Sequence, residues 1–343
     1  MSASIQITTA VLTDRGGSRE NQDAVSTTAT AAAATVAVFD GHGLHGTLAA
    51  TTAAETVAVA TAAGEPITAG FAAAEELFRT RLFETDRDKH VIRYGAVYNA
   101  LTAAPVRGGT TASVLQVDRA TGAASFAHVG DSEARYWDCA AAAAPAPAAA
   151  APAAAPEGIP LTANHNPGSL EEFNRIRAVY PSASSRFLYS ARNPQRRAFI
   201  MDPSGDWIPN PAGGFSYCDV RNTWSVYFHS SDDDEKLAMT RAIGDYHLKR
   251  DGLSAIPHCT TAAPPPPGTT RVYLVASDGL WDGMEYAEVG ALLCRPDLVG
   301  NADAAAEALM ELGKRINCQK FGYDHDNLSV AVVYVSAPAA AVP

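Results

Sequence analysis

A chain of 343 residues with 37 acidic against 26 basic side chains carries a formal charge of −11, which repels nucleic-acid phosphates and anionic membranes. Hydrophobic residues, at 47%, suffice for a large buried core, and no apolar run reaches the length of a membrane helix. The first residues, Met1 to Thr9, lack the basic-then-apolar pattern of a signal peptide, so the cytoplasm is the expected location, with the nucleus left open.

In chain order, apolar alternation and β-branched content predict a strand at Val36–Phe39, then helices at Leu48–Ala62 and Ile67–Asp88. Strands follow at Ala112–Val117, Ser125–Val129 and Ala134–Trp137. The tract Ala140–Pro156 is alanine broken by four prolines, which prevents a long helix and predicts an exposed loop. A helix at Ser169–Val179 opens on a capping-box pattern, Ser169 followed by Glu172. The run Pro264–Pro267 reads as a stiff connector into a strand at Arg271–Ala276. Helices at Tyr286–Leu293 and Ala302–Lys320 and a strand at Leu328–Val335 complete the set.

Strands in runs, with one helix pair early and another late, predict an α+β fold: a central β-sandwich of two antiparallel sheets flanked by helix pairs. Regular strand–helix alternation, a Gly-x-Gly-x-x-Gly loop and a Walker loop are absent, so a doubly wound nucleotide-binding fold is not expected. Neither proline tract reads as a boundary, and a single domain over 1–343 is expected. Five widely spaced cysteines (Cys139, Cys218, Cys259, Cys294 and Cys318), without a Cys-x-x-Cys pair, argue against a disulfide framework or a zinc site and suit a reducing compartment.

Several strands run into aspartates. Val36–Phe39 leads to Asp40-Gly41-His42-Gly43, Ser125–Val129 to Gly130-Asp131-Ser132, and Val272–Ala276 to Ser277-Asp278-Gly279 with Asp282 beyond. A further cluster, Asp324-His325-Asp326-Asn327, precedes the last strand. Carboxylates at strand ends suit hard divalent cations such as Mg²⁺ and Mn²⁺. Asp-Gly after a strand is also a common turn, and the pattern alone leaves both readings open.

Eight segments taken together carry a resemblance: "RENQDAV" at 19–25, "VFDGHG" at 38–43, "GGTTASV" at 108–114, "HVGDSEARYW" at 128–137, "LTANHNP" at 161–167, "LAMTRAIGD" at 237–245, "ASDGLWD" at 276–282 and "DNLSVAVV" at 326–333. In this order they resemble the metal-dependent protein serine/threonine phosphatases (PPM, or type 2C) over about residues 11–335. The resemblance implies two packed sheets flanked by helix pairs. It implies that Asp40 bridges two Mg²⁺ or Mn²⁺ ions and that the Gly41 carbonyl ligates one. Asp278 and Asp326 resemble ligands of the other, Asp23 acts through bound water, and Asp131 and Asp282 match a loosely held third metal. A hydroxide between the cations then attacks phosphorus in line, with no phosphoenzyme.

By the same resemblance His42 is the general acid for the leaving serine or threonine oxygen and Arg19 clamps the phosphate. Thr110, Thr111 and Arg241 read as scaffold, His45, His128 and His325 as structural, and Trp281, Phe71, Leu77 and Phe78 as packing. Phosphoprotein substrates are the expected partners, without nucleic acid or membrane, and the chain is expected to be a monomer. The alternative is a catalytically impaired relative that binds phosphoproteins as a scaffold.

The sequence departs from the family pattern in places. Gln22 precedes Asp23. Arg19 stands four residues before Asp23, where five is usual, and on a regular strand that would turn it away from the site. An irregularity near Glu20-Asn21 is therefore expected, and Arg19 is preferred to Arg15 as the clamp. Glu133 stands where arginine is usual, with Arg135 two places on. An enlarged flap at about 168–236, with an atypical stretch at 181–235 ending in Asp232-Asp233-Asp234-Glu235, replaces a short hairpin.

Overall fold

The computed structural model describes residues 4–139, 156–163, 165–181, 187–189, 198–211, 226–229 and 236–339. Most of the Ala140–Pro156 tract and the whole acidic run Asp232–Glu235 lie outside these residues.

The apolar segments assemble into two five-stranded antiparallel sheets. The first has the order Gln6–Asp14, Leu328–Ser336, Thr270–Ala276, Glu133–Cys139, Ile159–Pro160. The second has the order His258–Ala262, Ala124–Val129, Ala112–Asp118, Ala33–Phe39, Ala24–Ala29. The helices are α1 (Gly46–Ala62), α2 (Ala69–Glu84), α3 (Leu170–Val179), α4 (Tyr246–Lys249), α5 (Asp278–Trp281), α6 (Tyr286–Leu293) and α7 (Ala302–Phe321).

Alternation along the strands divides the apolar side chains between opposite faces. Val36, Val38, Leu115 and Phe126 of the second sheet form one buried cluster with Tyr273, Val275, Ala331 and Val333 of the first. The opposite face of the first sheet, with Val272, Leu274, Val330 and Val332, buries against α6 and α7 through Val289, Leu293, Ala305 and Leu309. The opposite face of the second sheet, with Ala37, Phe39, Val114 and Ala127, buries against Ala50, Ala53 and Val57 of α1 and Phe71 of α2. The observed fold is mixed α+β with several antiparallel sheets.

Among the strands absent from the sequence reading are Gln6–Asp14, Ala24–Ala29 and His258–Ala262. All three are sheet edges, rich in threonine and only partly buried, so their apolar alternation is weak. The expected capping box of α3 is half formed. Ser169 Oγ accepts from the Glu172 amide at 3.4 Å, but the Glu172 carboxylate turns inward to Arg241, Arg175 and Thr240.

The reading against a disulfide requires a correction. Cys139, at the end of a central strand, is bonded to Cys294 at the end of α6, across 155 residues of sequence. Spacing could not reveal a pair that only the sheet–helix packing brings together. Among the described residues no helix is long and apolar enough to cross a membrane.

Candidate active site

The loop between the Gln6–Asp14 and Ala24–Ala29 strands is irregular throughout, with Gly16 at φ +61°. The strand-alternation objection to Arg19 therefore does not apply, and Ser18 and Arg19 both line the same cleft. Asn327 fastens this loop. Its Oδ1 accepts from the Gln22 amide at 2.8 Å, and its Nδ2 donates to the carbonyls of Arg15 at 2.7 Å and Glu20 at 3.1 Å. Gln22 extends the link by donating from Nε2 to the Gly43 carbonyl at 2.9 Å, while its own carbonyl accepts from the Gly41 amide.

Asp40 leaves the Ala33–Phe39 strand held on both sides of its backbone. Its amide donates to Thr111 Oγ1 at 3.0 Å, and its carbonyl accepts from the Thr111 amide at 2.8 Å and Thr110 Oγ1 at 3.0 Å. Thr111 Oγ1 also meets Ser132 Oγ at 2.7 Å, tying in the turn that carries Asp131. The scaffold role expected of both threonines is what these bonds perform. Gly41 leaves no room for a side chain, since a Cβ would strike the carbonyls of Gly46 and Gln22.

Asp278 begins α5, and Asp282 follows at the end of that single turn, half-buried, with its amide donating to the Asp278 carbonyl at 2.7 Å. Asp326 precedes the Leu328–Ser336 strand and accepts at Oδ1 from the Asn327 amide at 2.8 Å. Asp23 is buried, with Oδ2 accepting from Ser277 Oγ at 2.9 Å, while its Oδ1 has no hydrogen-bond partner among the described residues.

A cavity of about 450 Å³ is lined by Asp40, Gly41, His42, Asp131, Asp278 and Asp326, with Arg19 at its wall. Asp282 does not line it and acts on the site through the charge it presents to Asp278. Electrostatics mark the cleft as short of positive charge. Burial, and then Asp23, Asp278, Asp131 and Asp326, push the Asp40 carboxyl well above its usual range. Burial, Asp131, Asp282 and Asp326 do the same to Asp278, and burial raises Asp131. Asp23 is pushed up to about 6 by burial and the Asp326 charge, against hydrogen bonds from Ser329 and Ser277 that lower it.

Such a donor set is all oxygen and mutually repulsive, the chemistry that a hard divalent cation relieves. The orphaned Asp23 Oδ1 points the same way. Among the described residues no group of three His, Cys, Asp or Glu side chains is already placed to hold a metal. The carboxylates of Asp40, Asp131, Asp278 and Asp326 are nevertheless gathered around one cleft.

One residue missed in the sequence is Asp245. Its Oδ2 lies 2.6 Å from His42 Nε2, and the carboxyl is buried. Burial alone would raise its pKa, but His42, His247 and Lys249 outweigh this and hold it below its usual value. Asp245 sits in the left-handed region at φ +45° beside Gly244 at φ +87°, which carries the chain back toward Gly108. Gly109 makes space for the pair, because a Cβ there would strike both the Asp245 carboxylate and His42 Nε2. A usable signal was present in the Gly108-Gly109 and Gly244-Asp245 pairs, whose lack of bulk permits a close backbone crossing.

Residues 13–320 match the family model for Protein phosphatase 2C. No curated protein matches the sequence. Among solved structures, the chain is similar to a serine-threonine phosphatase 2C from Toxoplasma gondii, at 17% identity and a TM-score of 0.62, with 96% of this chain and 95% of that one covered. It is also similar to the serine/threonine phosphatase of S. agalactiae, at 18% identity and a TM-score of 0.52, covering 96% and 99%. A C. elegans sex determining protein aligns at 16% identity and a TM-score of 0.57, over 97% of this chain and 65% of that one. At these identities the structural likenesses speak to the fold, while the family match spans most of the sequence. With the aspartate cleft at the strand ends, they lead to one conclusion: the chain belongs to the protein phosphatase 2C family of metal-dependent protein serine/threonine phosphatases.

Proposed function

We propose that this chain hydrolyses phosphoserine and phosphothreonine esters of proteins at the cleft lined by Asp40, Asp131, Asp278 and Asp326. The observation that carries the reading is the convergence of these carboxylates on one cavity, where burial and the neighbouring aspartate charges push the Asp40 and Asp278 carboxyls well above their usual range. Asp40, the Gly41 carbonyl, Asp278 and Asp326 are the groups that would hold two divalent ions, Mg²⁺ or Mn²⁺. Asp131 and Asp282 offer a weaker third position. Bound there, such ions lower the pKa of water and neutralise charge on the phosphoryl group.

The chain's own residues supply the rest. Asp23, braced by Ser277, orients water beside the ions. Arg19 reaches the non-bridging phosphate oxygens with its guanidinium fork. With Nε2 held by Asp245, His42 offers the proton on Nδ1 to the departing alkoxide, so the product leaves as a neutral alcohol. Four layers, helix–sheet–sheet–helix, are the architecture we infer, supported by the separate apolar clusters between and outside the sheets.

Phosphate release from a phosphothreonine peptide should require added Mg²⁺ or Mn²⁺ and cease in excess chelator. Asp278→Asn and Asp326→Asn should each lower turnover by orders of magnitude while leaving the circular dichroism spectrum unchanged. Full turnover in chelator, or wild-type rates in both variants at saturating metal, would refute the assignment.

A further inference from the structure

His42 and Asp245 are carried by a small antiparallel ribbon of order Ile243–Gly244, Gly109–Thr110, Gly41–His42, in which Gly244 stands opposite Gly109 and Gly109 opposite His42. The outer strand is only two residues long, and the chain leaves it through two left-handed residues, Gly244 at φ +87° and Asp245 at φ +45°. A non-glycine residue holds such a conformation only where its surroundings fix it from several sides. The backbone groups of so short an edge strand also need partners once buried.

Glu75, in the middle of α2, meets both needs. Its Oε2 accepts from the Gly244 amide at 2.8 Å, and its Oε1 lies 3.3 Å from Lys249 Nζ. The same ammonium donates to the Ala242 carbonyl at 2.5 Å, and the Tyr246 hydroxyl donates to the Glu75 carbonyl at 2.6 Å. Ala242, Gly244, Tyr246 and Lys249, on both sides of Asp245, are thus anchored on one helical residue. Glu75 and Lys249 are each partly buried, and their contacts are of the charge-assisted kind. Phe78, one turn along α2, adds packing, with its ring 5.9 Å from that of Tyr246.

We propose that Glu75, supported by Lys249, is a positioning residue for proton delivery: it fixes the Gly244-Asp245 turn and, through Asp245, the imidazole of His42. The inference rests on the reading of His42 as the general acid. A turn released from Glu75 would let the Asp245 carboxylate shift away from His42 Nε2, now 2.6 Å off, and a displacement of about 1 Å in a reacting group can cost as much as a hundredfold in rate. Asp278 and Asp326 stand at the ends of strands in the first sheet, whereas the Glu75 side chain bonds, among the described residues, only to Gly244 and Lys249. Steps that need no proton are therefore insulated from it.

The test compares a phosphothreonine peptide with p-nitrophenyl phosphate on the intact protein at saturating metal. Glu75→Ala should lower kcat on the peptide by about tenfold with KM little changed, and should cost the aryl phosphate no more than about twofold, since nitrophenolate leaves without a proton. Glu75→Gln should recover most of the peptide rate, because its amide oxygen still accepts from Gly244. Lys249→Met, which leaves α2 untouched, should show the same contrast in smaller form and serves if Glu75→Ala does not fold. In a His42→Ala background Glu75→Ala should cost the peptide reaction less than about twofold more, the sign of two residues acting in one step. Equal losses on both substrates, or a peptide loss that adds to that of His42→Ala, would overturn the role. Should His42→Ala alone show no contrast between the substrates, the general-acid reading falls and this inference with it.

Discussion

His42 and Asp245 form the tightest polar pair at the cleft, 2.6 Å apart and 203 residues distant in sequence. If His42 delivers a proton, its loss should matter only when the leaving group needs one. His42→Ala is therefore expected to slow phosphopeptide hydrolysis far more than p-nitrophenyl phosphate hydrolysis, since nitrophenolate departs unprotonated. Asp245→Asn should show the same substrate contrast in milder form, because an amide can still orient the ring but does not favour its charged state. Equal losses on both substrates would make the pair structural. Arg19→Ala should weaken inhibition by free phosphate by about tenfold, the loss expected of a charge-assisted bidentate contact, and Arg15→Ala should not. Asp40, Asp131 and Asp278, which the structure gathers at one cleft, were legible because each stands just beyond an apolar strand. Asp245 was not, since the small residues beside it announce a close backbone crossing without naming a partner two hundred residues away.

At the scale of elements, α3 is joined to the segment before α4 through one buried carboxylate. Glu172 accepts from Arg241 Nη2 at 2.6 Å, Arg175 Nη2 at 2.8 Å and Thr240 Oγ1 at 2.8 Å. Burial alone would raise its pKa, but the two arginines pull it down to about 2. A depressed carboxyl pKa adds stability that is complete above the unfolded value near 4.5 and is lost as pH falls toward 2. His128 and His165 also fall to about 2, chiefly through burial, so their neutral forms add stability that declines as pH drops below 6.5. With saturating Mg²⁺ or Mn²⁺ keeping the cleft aspartates ionised, melting temperature should begin to fall below about pH 6.5, and Glu172→Gln should abolish only the part of the loss below pH 4.5. A flat profile between 6.5 and 4.5 would contradict the burial of these histidines. The helices and central strands were legible because their apolar periodicity reports a buried face. The edge strands were not, because one side of each meets solvent or loop. In the stretch 168–236, α3 packs against the strands Phe199–Met201 and Trp207–Pro209, with Phe173 stacked 4.3 Å from Phe199.

The whole molecule is cross-tied at points the sequence spreads far apart. The Cys139–Cys294 bond joins the strand that carries Glu133 to α6, whose first residue is Tyr286. A bond closing so long a loop is expected to contribute roughly 2–4 kcal/mol. Reductant, or Cys139→Ser, should lower the urea midpoint by a corresponding amount, and an unchanged midpoint would show the bond to be dispensable. The net charge of −11 and the acidic cavity agree in sign, so basic substrates should be drawn in faster at low than at high ionic strength.

The Gln6–Asp14 strand pairs along its whole length with Leu328–Ser336, from Gln6 opposite Ser336 to Asp14 opposite Leu328. Asn327, just before that strand, is what fastens the loop bearing Arg19 and Asp23. On the ribosome Gln6–Asp14 is made before Leu328–Ser336 and must wait for it, which at about 5–20 residues per second means some tens of seconds. Until then one strand lacks its neighbour, the phosphate-clamp loop is untethered, and Asp326 does not yet exist. Closure of the cleft thus depends on residues made 305 positions after Gln22, so a chain interrupted before Asp326 carries nearly every family segment and still lacks a completed site.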